Sequence, residues 1–162
     1  MEIRLAKSED LDQILEIYEN ARQYMGRMGN PHQWGDAKYP SEALLRQDLA
    51  QKRLYLCAEN DEILGVFCYF YGEDPTYRVI EDGAWQNDQP YGVIHRIAAA
   101  KHNRGVASFC FSHCFSLCNN LKIDTHEDNL PMQRALLKNG FVRCGIIYLE
   151  NGESRIAFQK TE

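Results

Sequence analysis

Apolar and polar positions change period several times along the chain, and each change predicts an element. Residues 2–7 alternate, with Ile3 and Leu5 against Glu2 and Arg4, as a half-buried strand does. Ser8 then reads as an N-cap, with Glu9 and Asp10 in a first turn where the helix dipole favours acids. Leu11, Ile14, Leu15 and Tyr18 follow at helical spacing, which predicts a helix over 9–24. Ser41 caps a second helix, with Ala43, Leu44, Leu45 and Leu49 on its apolar face and its end near Lys52. Residues 54–58 and 63–71 are rich in β-formers and almost continuously apolar, so they predict a hairpin whose second strand is buried on both faces.

The second half alternates strands with helices. A strand opens at Tyr91, a basic turn (Lys101, His102, Arg104) follows, and a helix begins at or near Gly105. Residues 121–125 form a short buried strand, and 126–129 are turn and cap formers. Residues 130–139 form a helix that tolerates Pro131 in its first turn. Gly140 ends that helix, and 141–149 with 155–159 make a closing hairpin around Asn151-Gly152. The order β, α, α, β, β, β, α, β, α, β, β predicts an α/β fold with a mixed sheet and helices on both faces.

Two stretches show no period. Residues 26–40 hold three glycines, two prolines, Trp34 and Tyr39, and long irregular loops often carry function. Trp34 and Tyr39 either rim a substrate pocket or plug the end of the core. Residues 72–90 carry Trp85 and the acids Glu73, Asp74, Glu81, Asp82 and Asp88. Those acids either attract a cationic acceptor or form a solvated face.

Composition narrows the function classes. With 162 residues, 44% hydrophobic and 25% charged, the chain is expected to form a single domain spanning 1–162. A formal net charge of −5 argues against a general nucleic-acid surface, which needs a basic stripe facing many phosphates. No apolar run reaches the roughly 18 residues of a membrane span, and the first residues lack a signal-peptide core, so a cytoplasmic protein without a membrane partner is expected. The six cysteines fall mainly in apolar segments and read as core thiols. Cys110, Cys114 and Cys118 share a helix face, but without a C-x-x-C pair the expectation is packing and no metal.

The strand, turn and helix of 91–119 place unpaired N–H groups and the positive end of a helix dipole beside three cationic side chains. That is a place for a phosphate-bearing ligand. Its turn, His102-Asn103-Arg104-Gly105-Val106-Ala107, resembles the pyrophosphate loop Q/R-x-x-G-x-G/A of the GNAT superfamily of acetyl-CoA-dependent N-acetyltransferases, matching at Gly105 and Ala107, with His102 where Gln or Arg is usual. Residues 129–141 resemble that family's N-x-x-A-x-x-L-Y-x-x-x-G-F at Asn129, Gly140 and Phe141.

The resemblance implies a GNAT-like fold: a mostly antiparallel central sheet with a splayed parallel pair at the acetyl-CoA site. It implies that the pantetheine arm lies on the backbone of Ile97, Ala98 and Ala99. The pyrophosphate would lie on the loop from His102 through Asn103, Arg104, Gly105, Val106 and Ala107 to Ser108, and Asn129 would hold the pantetheine. It also implies acetyl transfer to a primary amine of a small molecule, peptide or protein by direct attack in a ternary complex, with a homodimer as the common assembly.

Deprotonating a Lys-like amine of pKa near 10.4 calls for a base. His95, two residues before Ile97 on the same strand face, is the leading candidate; its alternative is a satisfied core histidine. Arg96 points to the opposite face under strict alternation, unless a bulge redirects it. The resemblance places a proton-donating tyrosine where Leu136 stands, which leaves Tyr148 or Cys144 on the following strand, or water, as the acid. His126 and Glu127 are further acid/base candidates with helix capping as their alternative. Trp34, Tyr39 and Glu73 are the expected acceptor contacts. The second reading of the whole chain is a GNAT-fold module that binds or senses acyl-CoA without catalysis, motivated by Leu136 and His102.

Overall fold

The computed structural model describes residues 1–35, 38–102 and 104–162. Its elements follow the expected order: β1 (Glu2–Leu5), a 3-10 turn at Ser8–Asp10, α1 (Leu11–Arg27), α2 (Glu42–Ala50), β2 (Leu54–Glu59), β3 (Glu62–Tyr71), a 3-10 turn at Pro75–Tyr77, β4 (Gly92–Ala99), α3 (Val106–Cys118), β5 (Asn120–Thr125), α4 (Leu130–Lys138), β6 (Val142–Tyr148) and β7 (Ser154–Thr161). The sheet is mixed and mostly antiparallel, with β4 and β5 as its parallel pair.

Two compact units divide the chain, one of Met1–Tyr69 with Arg96–Cys110 and one of Phe70–His95 with Phe111–Glu162. In the first, β1 pairs with β2 and β2 with β3, all antiparallel. Leu11, Ile14, Ile17 and Tyr18 of α1 and Leu45 of α2 bury against Leu54, Leu56, Val66 and Ala98. Burying a large apolar side chain contributes about 1.5–3 kcal/mol, so this stripe is what anchors the helices. Ser41 caps α2 by accepting from Leu44 N–H at 3.2 Å, as its position predicts.

The entry to α1 differs from expectation. Ser8 lies inside the 3-10 turn, and Asp10 organises the entry instead. Its carboxylate accepts from Lys7 N–H at 2.8 Å and from both terminal nitrogens of Arg4 at 2.9 and 3.0 Å. A buried carboxylate with a bidentate arginine outcompetes a serine hydroxyl for this role.

In the second unit β5 pairs antiparallel with β7, and β7 with β6. Strand β6 would be an open edge, but residues near Glu81 fold onto it through a Glu81↔Ile146 bridge and Ala84 N–H to Cys144 O at 2.9 Å. Glycines permit that approach. A Cβ on Gly83 would lie 1.9 Å from Cys144 O, and one on Gly145 would lie 2.5 Å from Glu81 O. The acids of 72–90 therefore belong to a segment that covers a strand.

None of the six cysteines, all among the described residues, forms a disulfide, and Cys118 alone of them is not buried. Among the described residues no helix is long and apolar enough to cross a membrane, and no group of three His, Cys, Asp or Glu is placed to hold a metal ion.

Candidate active site

Strand β4 carries the leading candidates, and its backbone departs from strand geometry at Arg96. Arg96 has φ +55°, a conformation a non-glycine residue adopts only when its surroundings enforce it. The enforcement is visible: Tyr18 of α1 donates its hydroxyl to Arg96 O at 2.7 Å, and the Arg96 guanidinium donates to Tyr39 Oη at 2.9 Å and to Asp48 at 2.7 Å. Arg96 is thus turned out of strict alternation, as a bulge allows. Burial works against its charge, but Tyr39, Cys68 and Asp48 outweigh it and raise its pKa above the ordinary arginine value. Burial also pushes the neighbouring Cys68 thiol up to about 12, so it is inert at neutral pH.

One residue earlier, His95 Nε2 lies 2.7 Å from Asp74 Oδ2. The other carboxylate oxygen of Asp74 accepts from Thr76 N–H at 2.9 Å and Thr76 Oγ1 at 2.8 Å, and Asp74 N–H donates to Tyr91 Oη at 3.0 Å. Both oxygens are therefore fixed. Burial raises the Asp74 pKa, yet the His95 and Thr76 hydrogen bonds outweigh it and hold the carboxyl below its usual range. An ionised carboxylate only accepts, so Nε2 is the nitrogen that donates to Asp74, and in the neutral ring Nδ1 is the acceptor. The His95 side chain remains 22% exposed, against 11% for Asp74. Next to this pair, Tyr77 is buried with its ring centroid 6.1 Å from that of His95, and it donates to Asp124 at 2.6 Å.

Of the two readings of the acids of 72–90, attraction of a cationic acceptor or a solvated face, the second does not hold for Asp74, which is buried. An acid in a polar, aperiodic loop gives no sign of burial; its only signal is the 3-10 turn it caps through Thr76, written as Asp-Pro-Thr. Lys122 was also missed. It is a lysine in the middle of a buried strand, 4% exposed, and that mismatch was the available signal.

The parallel ladder between β4 and β5 comprises Gly92↔Leu121 and Val93↔Lys122, although β4 runs on to Ala99 and β5 to Thr125. Beyond it come Ile97 and Ala99, half-buried, and Ala98, buried. The turn that follows ends at Gly105, with φ +70° and no atom within 4 Å of where a Cβ would stand. This lets the chain enter α3 at Val106 with open space before the helix, as a bound phosphate requires. Val106 is buried, Ala107 and Ser108 are half-buried, and Asn103 lies outside the described residues.

The cations of the turn are occupied. Lys101 pairs with Glu62, Arg104 Nη2 with Glu59 at 3.1 Å, and His102 stacks on Tyr24 with ring centroids 3.7 Å apart. Both ion pairs are solvent-exposed and therefore weak, so they would oppose an incoming phosphate little.

The remaining candidates lie elsewhere. Asn129 caps α4, its Oδ1 accepting from Met132 N–H at 3.1 Å. Of the two readings of Trp34 the structure favours the plug of the core over the rim of a pocket: it is buried, edge-on to Tyr18 at 5.7 Å, and packs in the cluster of α1 and β2. Tyr39 is half-buried and accepts from Arg96, which makes it part of the bulge's support. Glu73 is exposed, with its carboxylate neutralised by Arg78 at 2.6 Å. Tyr148 stands half-exposed at the end of β6, and its hydrogen bond to Glu81 raises its pKa. Leu136 is fully buried and Cys144 is raised by burial. His126 Nδ1 accepts from Asp128 N–H at 3.0 Å within the turn that precedes α4, whose cap is Asn129.

No family sequence model matches the chain. No curated protein matches it. Solved structures do. An acetyltransferase of the GNAT family from Streptococcus agalactiae 2603 is 28% identical with a TM-score of 0.91, covering 99% of this chain and 95% of that one. A proposed acetyltransferase from Staphylococcus aureus Mu50 is also 28% identical, with a TM-score of 0.71 and 99% of each chain covered. AAC(6')-Ib, solved in complex with ribostamycin and coenzyme A, shares the fold at 20% identity and a TM-score of 0.68, over 99% of this chain and 92% of that one. With this likeness along nearly its whole length, beside the resemblances of 102–107 and 129–141, the chain has the fold of the GNAT-family acetyltransferases.

Proposed function

We propose that this protein transfers the acetyl group of acetyl-CoA to a primary amine of a small molecule or peptide by direct attack in a ternary complex, with His95 as general base and Asp74 as its positioning residue. The observation that carries the reading is the 2.7 Å bond from His95 Nε2 to Asp74, which leaves Nδ1 as a lone-pair acceptor on a partly open ring. The N–H groups of 105–108 at the start of α3 receive the pyrophosphate, and the backbone of Ile97 to Ala99 receives the pantetheine arm. That the same fold in AAC(6')-Ib holds coenzyme A supports this binding mode.

In this mechanism His95 Nδ1 takes a proton from the acceptor ammonium, and the free amine attacks the thioester carbonyl carbon. The carbonyl π bond opens to an oxyanion held by a strand N–H near Ile97, and its collapse breaks the C–S bond. The thiolate of CoA leaves and receives, through water, the second proton shed by the attacking nitrogen, since Leu136 offers none and Tyr148 is hydrogen-bonded to Glu81, and His95 returns its own proton to solvent. The test is thiol release from acetyl-CoA across an amine panel, with CoA affinity measured by calorimetry. Turnover that depends on His95 supports the reading; absence of CoA binding ends it. The buried Leu136 favours a second reading, an acyl-CoA-binding module without catalysis, which predicts CoA binding with no thiol release from any amine.

A further inference from the structure

The second unit holds a cleft of its own. It has a volume of about 790 Å³ and is walled by Tyr77, Trp85 and Tyr91, with Arg78 and Asp88 at its mouth and Lys122 at its base. Lys122 is 4% exposed, and its Nζ sits 4.2 Å from the centroid of the Trp85 ring and 4.0 Å from that of Tyr91. Among the described residues no hydrogen bond or ion pair engages that nitrogen. Trp85 is itself fixed, donating Nε1–H to Tyr77 O at 2.8 Å.

Among the described residues this ammonium has no hydrogen-bonded counter-ion, although the charge of Asp88 favours it, and its nitrogen keeps contact with solvent in the cleft. Two aromatic faces return part of its lost hydration, but less than a counter-ion would. Burial accordingly lowers the Lys122 pKa below the ordinary lysine value. Arg78 and Glu73 cancel one another across a 2.6 Å bond, and Asp88 is exposed at the rim. Among the described lining residues Lys122 is thus the cation left without an ion pair, with Asp88 exposed at the rim, and a single cation suits a monoanion better than a phosphate dianion.

We propose that this cleft binds a carboxylate-bearing small molecule, with Lys122 as the counter-ion of the carboxylate and Trp85 and Tyr91 as the walls for its body. Two sources share that chemistry: the far end of the acetyl acceptor, or a separate effector. Geometry allows the first. Val93 pairs with Lys122, and His95 follows Val93 by two residues on the same face, a separation of about 8 Å at ordinary strand spacings. Tyr77 also lines the cleft and neighbours His95. Identifying the acceptor this way rests on the proposed transfer reaction; binding in the cleft does not.

The test titrates the whole protein with phenylacetate and with its neutral isostere phenylacetamide, reading the indole N–H resonance of Trp85, assigned with Trp85→Phe. Phenylacetate is expected to shift that resonance and phenylacetamide is not. Lys122→Met should weaken phenylacetate by about tenfold or more, while Lys122→Arg retains part of the affinity. The melting temperature of Lys122→Met should hold or rise, because an unpaired buried charge has been removed, whereas a lysine present only for packing would lower it on replacement.

Equal response to both probes, no shift up to roughly 10 mM phenylacetate, or undiminished binding to Lys122→Met overturns the proposal. Acetylation kinetics then assign the source. If the carboxylate belongs to the acceptor, Lys122→Met raises KM for phenylalanine and leaves phenethylamine unchanged. If it belongs to an effector, Lys122→Met leaves both KM values alone and abolishes a non-competitive effect of phenylacetate on the rate. Binding without turnover of any amine would end the transfer reading and leave the cleft standing.

Discussion

His95 and Arg96 are neighbours on one strand, and each meets an aspartate at 2.7 Å, yet the two pairs do different work. Arg96 and Asp48 are 10% and 5% exposed, and the guanidinium also spends a donor on Tyr39. Arginine stays charged at any working pH, so this pair cannot exchange a proton. What it does is hold a left-handed residue in a strand. His95 is 22% exposed and paired through one nitrogen only, which leaves the other for a substrate. The contrast teaches that an ion pair on a catalytic strand reads as chemistry only when its basic member titrates and keeps an open atom.

The strongest way to break this contrast is His95→Ala. Loss of a positioned base is expected to lower kcat/KM by about 10²- to 10⁴-fold with CoA affinity unchanged. The deficit should be greatest at low pH, where the acceptor is an ammonium, and should narrow toward the amine pKa near 10.4. Rates from CoA thiol release that match the unaltered protein at every pH would remove His95 from the mechanism. Asp48→Ala probes the other pair. It strands a buried guanidinium, so denaturant unfolding should show a loss of about 3–5 kcal/mol. A loss within experimental error would mean that the bulge at Arg96 is held by Tyr18 and Tyr39 alone.

Much of this was legible before the structure, for physical reasons that also explain the gaps. The periods of α1, α2, α4 and the hairpins are set by which faces are buried, and burial is written in residue type. The start of α3 was legible because an open helix end needs a residue free of Cβ strain at Gly105. Asp74 was not, since a polar loop residue looks the same whether it faces solvent or a histidine. Trp34 posed the same problem in reverse: an aromatic residue in an aperiodic loop can close a core or a pocket, and only its contact with Tyr18 decides. The direction of Arg96 depended on one backbone angle, which side-chain alternation cannot encode. Lys122 lay in view as a charge inside an apolar strand, and its meaning came only with the two rings around it.

A finer probe is Asp74→Asn, which keeps shape and removes charge. With the anion gone, the ring loses its fixed tautomer and the stabilisation of its protonated form, so kcat should fall about tenfold or more while KM and CoA affinity hold. Asp74→Glu should recover part of kcat if orientation is the role. A parallel fall in stability and in both kinetic constants would instead mark Asp74 as a structural cap of the Pro75–Tyr77 turn.

The smallest effect separates the pairs by pH. The Asp74 carboxyl is held below its ordinary value in the folded protein, so the unfolded chain binds a proton there first as pH falls. The stability it contributes is present above the unfolded value near 3.8 and disappears as pH drops through the lower folded one. Asp10, held down by Arg4 and Lys7, behaves in the same direction. Melting temperatures between pH 2 and 6 should therefore fall less steeply on the acid side in Asp74→Asn than in the unaltered protein, and less steeply again with Asp10→Asn added. If the acid limb keeps its slope in Asp74→Asn, then the hydrogen bonds from His95 and Thr76 do not favour the ionised carboxylate, and the assignment of the Nε2 proton that rests on it must be withdrawn.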